Sequence, residues 1–191
     1  ILRGDAPVSS WAPGGLVRDG DRIASLLQDL YVEDRMLGQN LARGLATEQL
    51  VGMEGGDQRL RRNDVQGLGQ AVAKLMTGPQ GADIVAVSLD GWDTHAGQRA
   101  QLQTRLTGLD QLVTGLKGGL GETWSRTAVI VATEFGRTAR ANGTQGTDHG
   151  TGSSLLLAGG AVKQGGPIGD WPTLADNRLF ENRDPAPTLD I

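Results

Sequence analysis

Apolar residues recur along this chain with two different periods. From Asp21 a stripe runs through Ile23, Leu26, Leu27, Leu30, Leu37, Leu41 and Leu45. Its spacing is close to 3.6 residues and predicts helix, with Asp19 or Asp21 placed to cap the start. A second stripe, Val65, Leu68, Val72, Leu75 and Met76, begins after Asn63-Asp64 and stops at Gly78-Pro79, so a helix is predicted there with both its boundaries marked. Residues 1–19, with Pro7, Pro13 and Gly14-Gly15, read as an irregular lead-in, and the polar stretch 52–61 reads as a loop.

The texture then changes. "DIVAVSL" (83–89), "TAVIVAT" (127–133) and "SSLLLAGG" (153–160) are short, continuously apolar runs. They are too short for typical helices and fit strands covered on both faces. Between the first two lies a helical stripe, Leu102, Leu106, Leu109, Leu112, Val113, Leu116 and Leu120. Strand, long helix, strand reads as a βαβ unit with parallel strands. The expectation is therefore one α/β domain over 1–191, a mostly parallel sheet covered by helices. Residues 161–191, with Gly165-Gly166-Pro167, Pro172, Pro185 and Pro187, form its loop-rich tail.

Composition narrows the function classes. A chain of 191 residues can bury roughly 70% of the surface its unfolded form exposes. The net charge of −4 comes without a basic tract, so nucleic acid is not an expected partner. No apolar run approaches the roughly 18 residues of a membrane span. Cysteine is absent, which removes disulfides and thiolate metal sites. The chain begins at Ile1 without a methionine and reads as a piece of a longer protein.

The chain has only two histidines, and both stand beside aspartates in glycine-bracketed segments: His95 in "LDGWDTHAG" and His149 in "GTDHG". Ligands of open α/β sheets bind outside the C-terminal ends of the strands. Asp90 follows the run 83–89 and Glu134 follows 127–133, so two carboxylates are expected at one sheet edge, with His95 close by. Crowded carboxylates raise one another's pKa, and a divalent cation removes that cost. Asp, Glu and neutral imidazole suit Zn, Mn or Fe, and two-metal sites commonly serve phosphoryl transfer. Asp90, Asp93, His95, Glu134, Asp148 and His149 are the candidate ligands. Arg137 and Arg140 are candidate clamps for an anionic substrate. Plainer roles stand beside these: Asp-His pairs also cap loops, Glu134 can pair with Arg137, Trp92 can simply pack, and both arginines can be solvated surface charges.

The motifs "GWDTH", "EFGRT" and "GTDHG", in this order, resemble the bacterial family known as domain of unknown function 1501, from roughly residue 20 to the end. That family is similar to the alkaline-phosphatase-like superfamily of phosphatases, sulfatases, phosphodiesterases and cofactor-independent phosphoglycerate mutases. The superfamily pattern is a strand ending in Asp, a His four residues on, a helix, a strand ending in Asp-His-Gly, and a later His. Asp90 and His95 resemble the first pair with a gap of five, and Asp93 is the alternative Asp. Glu134-Phe135-Gly136 stands where Asp-His-Gly is usual, a departure because Phe135 cannot ligate a metal. His149 resembles the late His, with Asp148 as an extra ligand.

The resemblance implies an alkaline-phosphatase-like fold, incomplete on its N-terminal side. It also implies a divalent metal (Zn, Mn, Ca or Mg) and a metal-dependent hydrolase-like domain acting on phosphate or sulfate esters, with Arg137 as an anion clamp. The superfamily's Ser or Thr nucleophile lies upstream of the matching region. Thr94, Thr133 and Thr147 are the hydroxyls near the motifs, and the piece alone is expected to be inactive. Longer relatives often carry a twin-arginine signal, which implies export. A missing early strand implies an exposed sheet edge and pairing into a homodimer. The alternative is an exported binding or scaffold protein that kept the fold without the chemistry.

Overall fold

The computed structural model describes residue 8 and residues 20–52, 64–78, 81–163 and 165–188. The chain divides into two compact units: residues 1–85 with 111–120, and residues 86–110 with 121–191. In the first unit the leading stripe forms two helices, α1 (Gly20–Leu30) and α2 (Arg35–Gly52). The break at 31–34 is set by Asp34, whose carboxylate accepts the Met36 and Leu37 N–H groups at 3.1 and 3.0 Å and so starts a new helix. Asp19 lies outside the described residues, as do the Asp21 side chain, the lead-in apart from Val8, and residues 53–61 of the polar loop. Helix α3 (Val65–Thr77) has the predicted boundaries: Asp64 caps it by accepting Gly67 N–H at 2.8 Å, and the Gly78 N–H closes it onto Lys74 O at 2.9 Å. Pro79 is outside the described residues.

The core of this unit lies between α3 and the C-terminal part of α4 (Gln98–Leu120). Leu112, Leu116 and Leu120 are buried there, where α4 meets the face of α3 that carries Gln66, Gly69 and Ala73; Gly67, Ala71 and Val72 of α3 are buried as well. Small residues let the two helix backbones touch. A Cβ on Gly69 would overlap Leu112 O and press on Leu116 N, and one on Gly115 would overlap Gln66 O. Among the described residues no helix is long and apolar enough to cross a membrane.

The expected mostly parallel sheet, and with it the alkaline-phosphatase-like fold, does not form. Among the described residues there are two small sheets, each of two antiparallel strands. Residues 83–89 carry no strand pairing, with Ile84 90% exposed. The run 127–133 contributes β1 (Val129–Val131) and the run 153–160 contributes β4 (Leu156–Ala158). These pair antiparallel, with Ile130 opposite Leu157. The physical reason is that an apolar run states a preference for extended, apolar surroundings but names no partner. Here β1 bonds to the strand that returns after a hairpin, not to one that precedes the long helix. Nor are the strands covered on both faces, since Ile130, Leu156 and Leu157 remain exposed.

That hairpin, β2 (Gly136–Ala141) and β3 (Thr147–Gly150), forms the second sheet, with Arg137 opposite His149. The tail folds back along its other side. Ala139 N–H donates to Arg183 O at 2.9 Å, and the buried Asp184 carboxylate accepts Thr151 N–H at 3.1 Å while paired with Arg183. β2, the strand opposite His149, is thus held from both edges.

Candidate metal centre

All candidate residues lie in the second unit. The segment after Gly91 lies against the hairpin in antiparallel fashion. Thr147 N–H reaches Thr94 O at 3.4 Å, Gly97 N–H reaches Thr144 O at 3.0 Å and Gln98 N–H reaches Gln145 O at 2.9 Å, around an Ala96–Gln145 bridge. Extended backbone alternates its side chains. Thr94 is accordingly buried, and its neighbours Asp93 and His95 both face outward. Gly146 sits flat against the His95 carbonyl, where a Cβ would overlap the His95 backbone.

Asp93 Oδ1 is the hub. Arg137 Nη2 donates to it at 2.6 Å, and the Nε2 atoms of His149 and His95 each stand 2.9 Å away. The three side chains Asp93, His95 and His149 present ligand atoms within 4.8 Å of one another, on an exposed face. The imidazoles lie 5.0 Å apart at 36°, and Phe135 stacks on His149 at 4.4 Å and 22°. Arg137 also donates to Thr147 O at 2.7 Å and Trp92 O at 3.0 Å, and its Cζ lies 5.1 Å from the Phe135 ring centre. Its guanidinium therefore stitches the Asp93 loop to the hairpin.

Behind His95 is a second layer. Asp148 Oδ1 lies 3.3 Å from His95 Nδ1. The Asn142 amide donates to that same oxygen at 3.0 Å and to His95 O at 2.9 Å, while its own oxygen accepts the N–H groups of Thr144 and Gly146. Thr144 Oγ1 adds a 2.6 Å bond to His95 O.

These contacts set the electrostatics. The hydrogen bond with His149 holds the Asp93 carboxyl below its ordinary value of 3.8, helped by the charges of His95, His149 and Arg137 and opposed by desolvation. The bond from Asn142, then that with His95, does the same for Asp148. Both groups prefer the ionised form more strongly in the folded protein than in the unfolded chain. Their contribution to stability is thus present above the unfolded aspartate pKa of about 3.9 and is lost as pH falls through the lower folded values. It is small, because both are exposed. Carboxyl-carbon NMR of the metal-free protein should give titration midpoints below 3.8 for both residues. A midpoint at or above that value would contradict the hydrogen bonding described.

Of the six ligands expected from sequence, the structure gathers Asp93, His95, Asp148 and His149. Asp90 and Glu134 are exposed, lie outside this group and make no side-chain hydrogen bond or ion pair among the described residues. Their predicted meeting at a sheet edge depended on a parallel sheet, which is not found among the described residues. Arg140 is occupied by Asn182 and Asp176. Of the three threonines, Thr94 is buried, Thr147 is bonded to Gln98 and Thr133 to Ser153. Trp92 is half-buried. Sequence reasoning missed Asn142 and the packing role of Phe135. The signal for the first was the Asn-Gly pair at a hairpin turn.

The family described as "Protein of unknown function (DUF1501)" matches residues 41–190. No curated protein matches the chain, and no solved structure does.

Proposed function

The chain belongs to the DUF1501 family, and from that membership and the geometry around Asp93 we propose that it is a metal-dependent hydrolase-like protein acting on phosphate or sulfate esters. Asp93, His95 and His149 hold one divalent cation. The observation that carries the reading is the approach of two imidazole Nε2 atoms to one carboxylate oxygen, each at 2.9 Å. Only the His149 contact has hydrogen-bond geometry. His95 Nε2 thus lies beside that oxygen without being hydrogen-bonded to it, as two ligand atoms sharing one cation do.

Two nitrogens and one oxygen suit Zn, Mn or Fe rather than Mg or Ca, which favour oxygen donors. Three protein ligands leave a position open. A cation so held supplies Lewis acidity and an acidified water. The chain's own part is to hold the ligands: Arg137 fixes Asp93, Phe135 backs His149, and the exposed imidazole faces admit a solvent-borne ester. The ester class rests on the resemblance of "GWDTH" and "GTDHG" to alkaline-phosphatase-like motifs, from which "EFGRT" departs.

A second reading, a non-catalytic binding or scaffold protein, is favoured by one observation. Arg137 already supplies a positive charge to Asp93 at 2.6 Å. Elemental analysis of protein purified without added metal separates the two. Stoichiometric transition metal, with chelator-sensitive turnover of aryl phosphate or aryl sulfate esters, is the expected result. Absence of bound metal together with no thermal shift from Zn, Mn, Ca or Mg would leave the scaffold reading standing.

A further inference from the structure

Asp148 was a candidate ligand on sequence grounds, yet its contacts point elsewhere. Its Oδ1 lies 3.3 Å from His95 Nδ1, not from the Nε2 that stands beside Asp93, and it is outside the group formed by Asp93, His95 and His149. A histidine that binds a cation through one nitrogen commonly donates its other N–H to a carboxylate, which fixes the tautomer and the ring orientation. His95 presents this division of labour. Nε2 lies 2.9 Å from the hub oxygen without a hydrogen bond to it, and Nδ1 has a carboxylate within hydrogen-bond reach.

The acceptor is itself immobilised. Asn142 donates to Asp148 Oδ1 and to the His95 carbonyl, so one amide ties the acceptor to the backbone of the residue it orients. The Asp148 N–H donates to Thr138 Oγ1 at 3.2 Å, and Thr138 is buried. No comparable acceptor is found for His149 Nδ1 among the described residues; that ring is set instead by stacking on Phe135.

We infer that Asp148, held by Asn142, is the positioning residue of His95: it keeps the proton on Nδ1 and leaves Nε2 free to bind a cation, without being a ligand itself. The inference rests on the metal reading above for its purpose, but its central claim about the proton does not. Long-range proton–nitrogen NMR of the metal-free protein at about pH 8.5, above the ordinary histidine range, reads the tautomer directly. In the wild type His95 should carry its proton on Nδ1, and in Asp148→Ala the Nε2-protonated form should gain population. A wild-type proton on Nε2 overturns the assignment whether or not the protein binds metal.

Cobalt(II) binding supplies the second readout. Asp148→Ala should bind cobalt(II) about 10–100-fold more weakly than wild type, the usual cost of losing an outer partner of a ligating histidine. At saturation its absorption bands should match those of the wild type, because no ligand has been removed. Asp148→Asn, which keeps an acceptor oxygen and the side-chain volume, should recover part of the affinity and guards against a folding defect in the alanine variant. Altered bands at saturation would make Asp148 a ligand and overturn the inference, as would unchanged affinity in both variants. If the wild type binds no metal at all, the metal reading fails, and the tautomer alone decides the present claim.

Discussion

Replacing Gly69 or Gly115 by leucine is expected to unfold the helical unit. At both positions the opposite backbone occupies the space a Cβ would need: Leu112 O and Leu116 N face Gly69, and Gln66 O faces Gly115. A flexible side chain can swing aside, but a helix backbone can yield only by moving the helix. Separating α3 from α4 would uncover Ala73, Leu112, Leu116 and Leu120, which make up most of the buried apolar side chains among the unit's described residues. Overpacking a core typically costs about 1–3 kcal/mol, and a collision with main chain belongs at or beyond the upper end. Against a total stability of about 5–15 kcal/mol for ordinary domains, this should lower the helical transition steeply in urea, followed by far-UV circular dichroism. Gly44→Ala and Gly118→Ala are the matched controls, because their helix positions have nothing within 4 Å of a new Cβ. They should be neutral or stabilising by up to about 1 kcal/mol. A Gly115→Leu protein with a wild-type transition would refute the close helix contact.

Asp93→Asn is expected to remove metal binding altogether in a direct titration. The carboxylate is the shared point of both imidazoles and of Arg137. The amide would keep the shape while deleting the negative charge that offsets a cation and the guanidinium together. Affinity should fall more than 100-fold, beyond the about 10–100-fold expected for an outer partner. The fold should survive, because Arg137 keeps its bonds to the carbonyls of Trp92 and Thr147. Asp90→Asn is the telling control. Asp90 is the other carboxylate of the same motif but lies outside the cluster, so it should leave binding unchanged. Equal losses in the two variants would move the centre away from Asp93.

The contrast between Asp90 and Asp93 illustrates how far the sequence could be read. That histidine and aspartate converge was legible, because the chain has two histidines and puts each beside a carboxylate. Which aspartate joins them was obscured by the strand-exit argument, which favoured Asp90. The local rule was the better guide: in extended chain, residues two apart share a face, and Asp93 is two residues from His95. Helix α3 was legible end to end because its signals are local, a 3.6-residue stripe between an Asp cap and a glycine. The sheets were not, because strand partners are chosen over distances that periodicity does not encode. Nothing in "TAVIVAT" or "SSLLLAGG" distinguishes an antiparallel pair from two members of a parallel sheet. The glycine seam was hidden for another reason: Gly69 and Gly115 interrupt the apolar stripes they serve, and their contribution is the absence of a side chain.

The zipper between residues 94–98 and 144–147 makes the centre sensitive to insertion rather than to distance along the chain. It fixes which side chains of the Asp93 loop face outward by backbone pairing. One residue added between His95 and Gln98 would slip that pairing by a single step and send Asp93 and His95 to the side now taken by Thr94. The same addition in an exposed position of the helix that follows, or in the turn before β2, would leave the pairing untouched. Evolutionary or engineered length changes should therefore be tolerated between the two halves of the zipper and punished within either one.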